Sequence, residues 1–247
     1  MFIDFTDEQK ALREELQAYY TNLITPEIHE LQKLEEGTGP VRRKLVEQLG
    51  EDGWIAMGWP EEYGGQGKSA IEQFIFYDET MRVGSPAPML TINTVGPTIM
   101  EYGTDEQKDF FLPQIAAGKL HFCIGYSEPD AGTDLASLTT KAVRDGDEYV
   151  INGQKTWTTP GITIEPLSLL SSHNINHTFF DDVRVPASSI IGEENQGWRL
   201  ITSQLNRERV TLCSSALVER CIDEALIWAK ENCRADGTRV LDIPWVR

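Results

Sequence analysis

The chain has 247 residues, 39 acidic against 22 basic, for a formal charge of −17. That length supports a substantial core and one or two domains, and the hydrophobic and charged fractions of 40% and 25% are those of a globular protein. So acidic a chain is a poor direct partner for nucleic acid or an anionic membrane, although loops and helix ends can still offer N–H groups to an anionic ligand. The four cysteines, Cys123, Cys213, Cys221 and Cys233, form no C-x-x-C pair and stand beside no His cluster. Zinc and a disulfide framework are therefore not expected, and reduced thiols in a cytoplasm are. Met1 to Phe5 lacks the basic and apolar regions of a signal peptide, and no run approaches the ~18 apolar residues of a spanning helix.

In chain order, Thr6 and Gln9 form a capping box, with Asp7 and Glu8 in the first turn. Leu12, Leu16, Tyr19 or Tyr20, and Leu23 then repeat at helical spacing. Pro26 and the stretch Gly37 to Pro40 read as breakers. A helix is predicted over Val41 to Leu49, stopping at Gly50. Pro60-Glu61-Glu62-Tyr63-Gly64-Gly65-Gln66-Gly67 is glycine-rich, but it has no Lys-Ser/Thr ending and follows no clear strand, so it is neither a Walker nor a Rossmann loop. Further helices are predicted over Ile71–Val83 and Thr91–Tyr102, the latter irregular at Pro97. Another follows a capping box of Thr104 and Gln107 and ends at Gly118. Its aromatic stripe, Phe110 and Phe111, is expected in the core.

After Gly118 the period becomes strand-like. Asp145-Gly146 and Asn152-Gly153 are the two strongest hairpin signals. His177 to Pro186 reads as a strand ending in a turn, and a helical pattern resumes at Gly197. The predicted fold class is α+β: an N-terminal helical domain (1–118), a middle antiparallel β-domain (119–192) and the start of a C-terminal helical bundle (193–247).

The chain is organised around Cys123 to Thr159. Tyr126-Ser127-Glu128-Pro129-Asp130-Ala131-Gly132-Thr133-Asp134 follows an apolar run and brings backbone N–H groups and hydroxyls together, which suits a phosphate or a polar ring edge as well as an ordinary turn. Asn152-Gly153-Gln154-Lys155-Thr156-Trp157-Thr158-Thr159 comes about twenty residues later. Together, at this spacing, the two motifs resemble the acyl-CoA dehydrogenase flavoprotein family. The resemblance implies FAD as cofactor, with Tyr126 and Ser127 beside the flavin ring, Thr133 at the pyrophosphate, and Trp157 and Thr159 flanking the isoalloxazine. Asp130 stands where many members have Gly, so its side chain is expected to point away from phosphate.

Glu208, in Asn206-Arg207-Glu208-Arg209-Val210, reads on its own as a solvated carboxylate between two arginines. The resemblance reverses that reading, because one branch of the family carries its catalytic Glu in a matching Glu-Arg pair on this helix. The implied reaction removes the substrate α-proton with Glu208 and the β-hydride with the flavin, giving a 2,3-enoyl-CoA. A carboxylate buried against flavin and acyl chain would have a raised pKa, improving its match to the proton it takes. Arg209 faces either an acid or the substrate.

Thr91-Ile92-Asn93-Thr94-Val95-Gly96-Pro97-Thr98 and Gly125 to Pro129 are most similar to the actinobacterial steroid side-chain group. That likeness implies a steroid side-chain acyl-CoA as substrate, a second acyl-CoA dehydrogenase-like subunit in an α2β2 assembly, and an electron-transfer flavoprotein as electron acceptor. Two alternatives stay open, a non-catalytic partner subunit and an acyl-CoA oxidase-like or nitroalkane oxidase-like flavoenzyme. The chain also departs from the family pattern. Members carry about thirty to forty more residues of β-domain where Thr159 here meets Pro160, and a long helical bundle beyond the position of Arg247. Thr159 and Pro160 are therefore expected not to be neighbours in the native protein. The mass of the intact protein checks this: a value equal to that of the 247-residue chain would rule it out.

Overall fold

The computed structural model describes residues 4–35, 39–158, 163–167, 175–211 and 214–244. The N-terminal part is helical, with α1 (Asp7–Leu23), α2 (Pro26–Leu34), α3 (Pro40–Glu51), α4 (Ala70–Val83), a π-turn at Thr91–Val95 leading into α5 (Gly96–Tyr102), and α6 (Asp105–Ala116). Both predicted capping boxes form, at Thr6/Gln9 and Thr104/Gln107, and a third at Ser69/Glu72 opens α4. Leu16, Tyr20, Leu49, Ile75, Phe76, Ile99, Leu112 and Ile115 are almost wholly excluded from solvent and form one core beneath these helices.

Several local expectations change. Pro26 and Pro40 begin helices instead of breaking them: each sits in the first turn, where its missing N–H would have had no partner anyway. Gly50 does not stop α3. It lies inside the helix because a β-carbon there would run into the backbone of Ala117 and Gly118 at the end of α6. Phe111 packs edge-on against Phe122 with ring centroids 5.5 Å apart, but Phe110 is 62% exposed and is not a core residue.

The irregularity expected at Pro97 lies just before it, in the π-turn, where the Gly96 N–H reaches back to the Thr91 carbonyl. In that register the next carbonyl, of Ile92, faces a proline nitrogen with no hydrogen. The Trp59 indole N–H donates to it at 2.9 Å instead, in the buried core. Gly96 makes room for the ring, since a β-carbon there would strike it.

The middle part holds a four-stranded antiparallel sheet among the described residues, made of β1 (Lys141–Asp145), β2 (Glu148–Thr158), β3 (Thr163–Leu167) and β4 (Ile175–Pro186) in the order β1-β2-β4-β3. Asp145-Gly146 opens the β1–β2 hairpin, in which Asp145 pairs with Glu148. Asn152-Gly153 is not a hairpin. It lies within β2 at a register shift, where Ile151 pairs with Val183 and Gly153 with Phe180. Two residues of β4 thus oppose Asn152 alone. One of them, Asp182, has a φ of 47°; its N–H donates to Asn152 Oδ1 at 2.8 Å and its carboxylate accepts from Asn152 Nδ2 at 3.0 Å. The carboxamide that suits Asn to a tight turn here serves a bulge on the neighbouring strand. The Gln107 amide ties sheet to helices, donating to the carbonyls of Ser188 and Ile190 at 2.9 and 2.8 Å.

The C-terminal part contributes α7 (Gly197–Thr211) and α8 (Ala216–Glu231). An ionic network joins it to the first helices. Arg13 of α1 donates to both buried acids of α4, Asp78 and Glu79, at 2.6 Å each. Arg82 donates to Asp78 and to Glu219 of α8 at 3.2 and 2.6 Å, and the Ser214 hydroxyl donates to the other Asp78 oxygen at 2.8 Å. Removing a partner from buried carboxylates leaves charge uncompensated. Arg13→Met is therefore expected to cost about 3 kcal/mol, read as a lower urea midpoint at unchanged slope.

Candidate active site

The chain from Lys119 to Ser127 belongs to no helix or strand. It is held early by the Phe122 N–H, which donates to Thr91 Oγ1 in the π-turn at 3.0 Å. Tyr126 donates to Gln204 Oε1 of α7 at 2.6 Å, and the Gln204 amide donates to Thr98 Oγ1 of α5 at 3.1 Å. This relay places Tyr126 where the sheet, α5 and α7 meet.

The next residues turn back on themselves, Glu128 and Ala131 exchanging backbone hydrogen bonds of 2.9 and 3.2 Å around Pro129 and Asp130. Glu128 is only 5% exposed. Its Oε2 accepts the Thr139 N–H and hydroxyl at 2.6 and 2.7 Å, and its Oε1 accepts the Thr140 N–H and the Lys155 ammonium, both at 2.9 Å. Lys155 also donates to the Tyr126 carbonyl at 3.2 Å. Burial by itself would raise the Glu128 pKa; the hydrogen bonds from Thr139, Lys155 and Thr140 outweigh it and hold the carboxyl well below the usual carboxylate range.

A second register shift on β2, between Lys155 and Thr158, leaves Thr156 and Trp157 opposite a single residue of β4. The Thr156 N–H turns out of the ladder and donates to the Ser127 carbonyl at 2.9 Å. The two sequence motifs are therefore joined through two residues of β2, Lys155 to Glu128 and the Tyr126 carbonyl, and Thr156 to the Ser127 carbonyl.

Of the residues predicted to bind cofactor, Tyr126, Ser127 and Thr133 lie on this one loop. Trp157 is on β2 at the bulge, with its side chain outside the described residues, and Thr159 lies outside them altogether. Glu208 and Arg209 are on α7, also with side chains outside the described residues. Glu208 follows Gln204 by four residues along α7. Asp130 is exposed at the tip of the turn. Sequence reasoning missed Glu128, Lys155 and Gln204. The first two were visible as opposite charges in the two motifs, whereas nothing local marked Gln204.

The site suits a long, polar, phosphate-bearing group. Thr133 and Gly132 are exposed, and open space surrounds the position where a Gly132 β-carbon would lie. Thr156 Oγ1, beside Trp157, is buried without a hydrogen-bond partner. The loop thus exposes Gly132 and Thr133, and the strand joined to it carries an orphaned hydroxyl. Among the described residues, no group of three His, Cys, Asp or Glu could hold a metal ion, and no helix is long and apolar enough to cross a membrane.

Comparison with known proteins agrees with this architecture. Residues 6–119, 123–183 and 195–247 match the N-terminal, middle and C-terminal domains of acyl-CoA dehydrogenase. Acyl-CoA dehydrogenase FadE26 of Mycobacterium tuberculosis is 47% identical, the match covering 100% of this chain and 72% of that one. FadE29 of the same organism is 43% identical over 93% of this chain and 68% of its own. Among solved structures, the ChsE4–ChsE5 complex from Mycobacterium tuberculosis superposes with a TM-score of 0.85 at 48% identity, covering 99% of this chain and 71% of that one. The Tcur3481–Tcur3483 steroid ACAD gives 0.83 at 42%, covering 100% and 72%. The chain belongs to the acyl-CoA dehydrogenase family, oxidoreductases acting on CH–CH bonds.

Glu128 is predicted to control acid stability. Its folded pKa lies below the unfolded value of about 4.3, so its contribution is complete above that pH and is lost as the pH falls toward the folded pKa. Glu128→Gln is expected to cost about 3 kcal/mol at pH 7. The gap from wild type should narrow between about pH 5 and pH 3, measured by urea unfolding across that range.

Proposed function

We propose that this chain is the base-bearing subunit of an FAD-dependent acyl-CoA dehydrogenase that converts a steroid side-chain acyl-CoA to its 2,3-enoyl-CoA, working in the cytoplasm with a second acyl-CoA dehydrogenase-like subunit. The observation that carries this reading is the double clamp between the loop at Tyr126–Thr133 and the bulge of β2, next to α7, in a chain so similar to FadE26 and to the ChsE4–ChsE5 complex. The substrate class is supported by the likeness to the Tcur3481–Tcur3483 steroid ACAD. The partner is supported by α8, whose Val218, Ile222 and Trp228 are 60%, 54% and 58% exposed, an apolar surface of the sort that assembly covers.

In this reading Ser127 and Thr133 hold the cofactor by hydroxyl and backbone N–H, Trp157 and Thr159 lie along its ring, and Tyr126 is fixed by Gln204. FAD supplies hydride acceptance when bound. Glu208 takes the α-proton of the thioester; its place on α7, four residues after Gln204 in sequence, supports this role. Arg209 lies beside the substrate. Lys155 neutralises Glu128, so the loop carries no buried uncompensated charge. Electrons leave to an electron-transfer flavoprotein.

The test is anaerobic addition of acyl-CoA to the purified complex, following flavin absorbance. A steroid side-chain CoA thioester should bleach it, and a short straight-chain thioester should not. Bleaching by the straight chain alone would remove the steroid assignment, and rapid reoxidation by oxygen would favour an oxidase. Glu208→Gln should keep FAD bound and slow bleaching by at least about 10²-fold; bleaching at the wild-type rate would place the base elsewhere.

A further inference from the structure

A second concave region lies between α3, the end of α4 and α8. It is a cleft of about 1020 Å³, large enough for a substantial organic ligand. Arg42 and Arg43 of α3, Lys119 and His121 after α6, and Arg220 of α8 line it. None of its described lining residues is Asp or Glu, in a chain with 39 acidic residues. Val46, Phe122 and Leu217 and the proline-bearing stretch 84–91 supply an apolar wall.

Two guanidinium groups are set into this cleft. Arg220 Nη1 donates to the Met81 carbonyl at 3.1 Å and lies against Gly84, where a β-carbon would collide with it. Among the described residues, Arg220 pairs with Glu224, 3.6 Å from Nε and exposed on the same helix. Arg42 Nε is buried with no hydrogen-bond partner, and among the described residues Glu35 accepts the backbone N–H groups of Val41 and Arg42 at 2.8 and 3.1 Å. Glu47 stands near His121 and is not part of the lining. A planar guanidinium with an unsatisfied buried donor matches a carboxylate, and the apolar wall matches a hydrocarbon body.

We propose that this cleft binds an amphipathic carboxylate, with its anionic head between Arg42, Lys119 and Arg220 and its apolar body against Phe122, Leu217 and the 84–91 stretch. The ligand is either a free acid or the far end of an acidic acyl thioester. The cleft starts at Cys123, three residues before Tyr126, and three extended residues span at most ~11 Å.

The test is calorimetric titration of the purified protein, with its partner subunit if one co-purifies, using cholate and its uncharged methyl ester. Cholate should bind at least about tenfold more tightly than the ester, and the difference should shrink when salt is raised from about 0.02 M to about 0.5 M. Arg42→Gln and Lys119→Gln, which leave the Arg220–Met81 contact intact, should each reduce cholate affinity several-fold and leave ester binding unchanged. Equal affinity for acid and ester, or unchanged cholate affinity in both variants, overturns the proposal. Repeating the titration with saturating steroid side-chain CoA thioester assigns the source: competition makes the cleft the distal end of the substrate site, and simultaneous binding makes the ligand a separate acid.

Discussion

The buried ion pair between Glu128 and Lys155 is the contact on which the rest of the site depends. Without it, the loop at Tyr126–Thr133 would keep the Thr156–Ser127 backbone bond but lose its ionic hold on β2. Glu128 gathers two backbone N–H groups, a hydroxyl and an ammonium, so its desolvation is offset by four donors at once. Because Lys155 also holds the Tyr126 carbonyl, the pair fixes both the position of the loop and the direction in which Tyr126 leaves it. The α7 relay through Gln204 then has a fixed target.

The same logic recurs at the other side of the molecule. Asp78 and Glu79 are buried on α4 and would be costly alone, but Arg13, Arg82 and Ser214 make them a junction between the first helices and α8. In both places an acid inside the fold binds together segments far apart in sequence. The acids that give the chain its net charge are thus not only a solvated surface. The Arg42–Arg220 cleft is the complement of this pattern, a concave basic region with no acid among its described lining residues.

Much of this was legible from the residues. Capping boxes, apolar spacing and Asp145-Gly146 marked helices and the first hairpin because each depends on interactions within a few residues. The paired motifs marked the candidate site through their resemblance to the acyl-CoA dehydrogenase family, since the loop's own chemistry suits an ordinary turn equally well. What was not legible depended on contacts across the fold. Gly50 looks like a helix stop until the end of α6 is seen against it, and Asn152-Gly153 looks like a turn until Asp182 is found opposite. Pro26 and Pro40 are ambiguous in sequence, since proline both ends one helix and begins the next. Gln204 carries no local signal because its role is set by Tyr126 and Thr98, each about a hundred or fewer residues away.

The Trp59–Ile92 hydrogen bond couples three positions that a residue-by-residue view would treat separately. Pro97 withholds a donor, Trp59 replaces it, and Gly96 leaves space for the ring that does so. Substitutions at these sites therefore should not add. Loss of the indole strands a buried carbonyl only while residue 97 is proline, and a side chain at residue 96 is excluded only while residue 59 is large. Divergence through this segment is constrained to paths in which the three change together, so its apparent conservation in any lineage would record epistasis in the helix bend and say little about chemistry at the flavin.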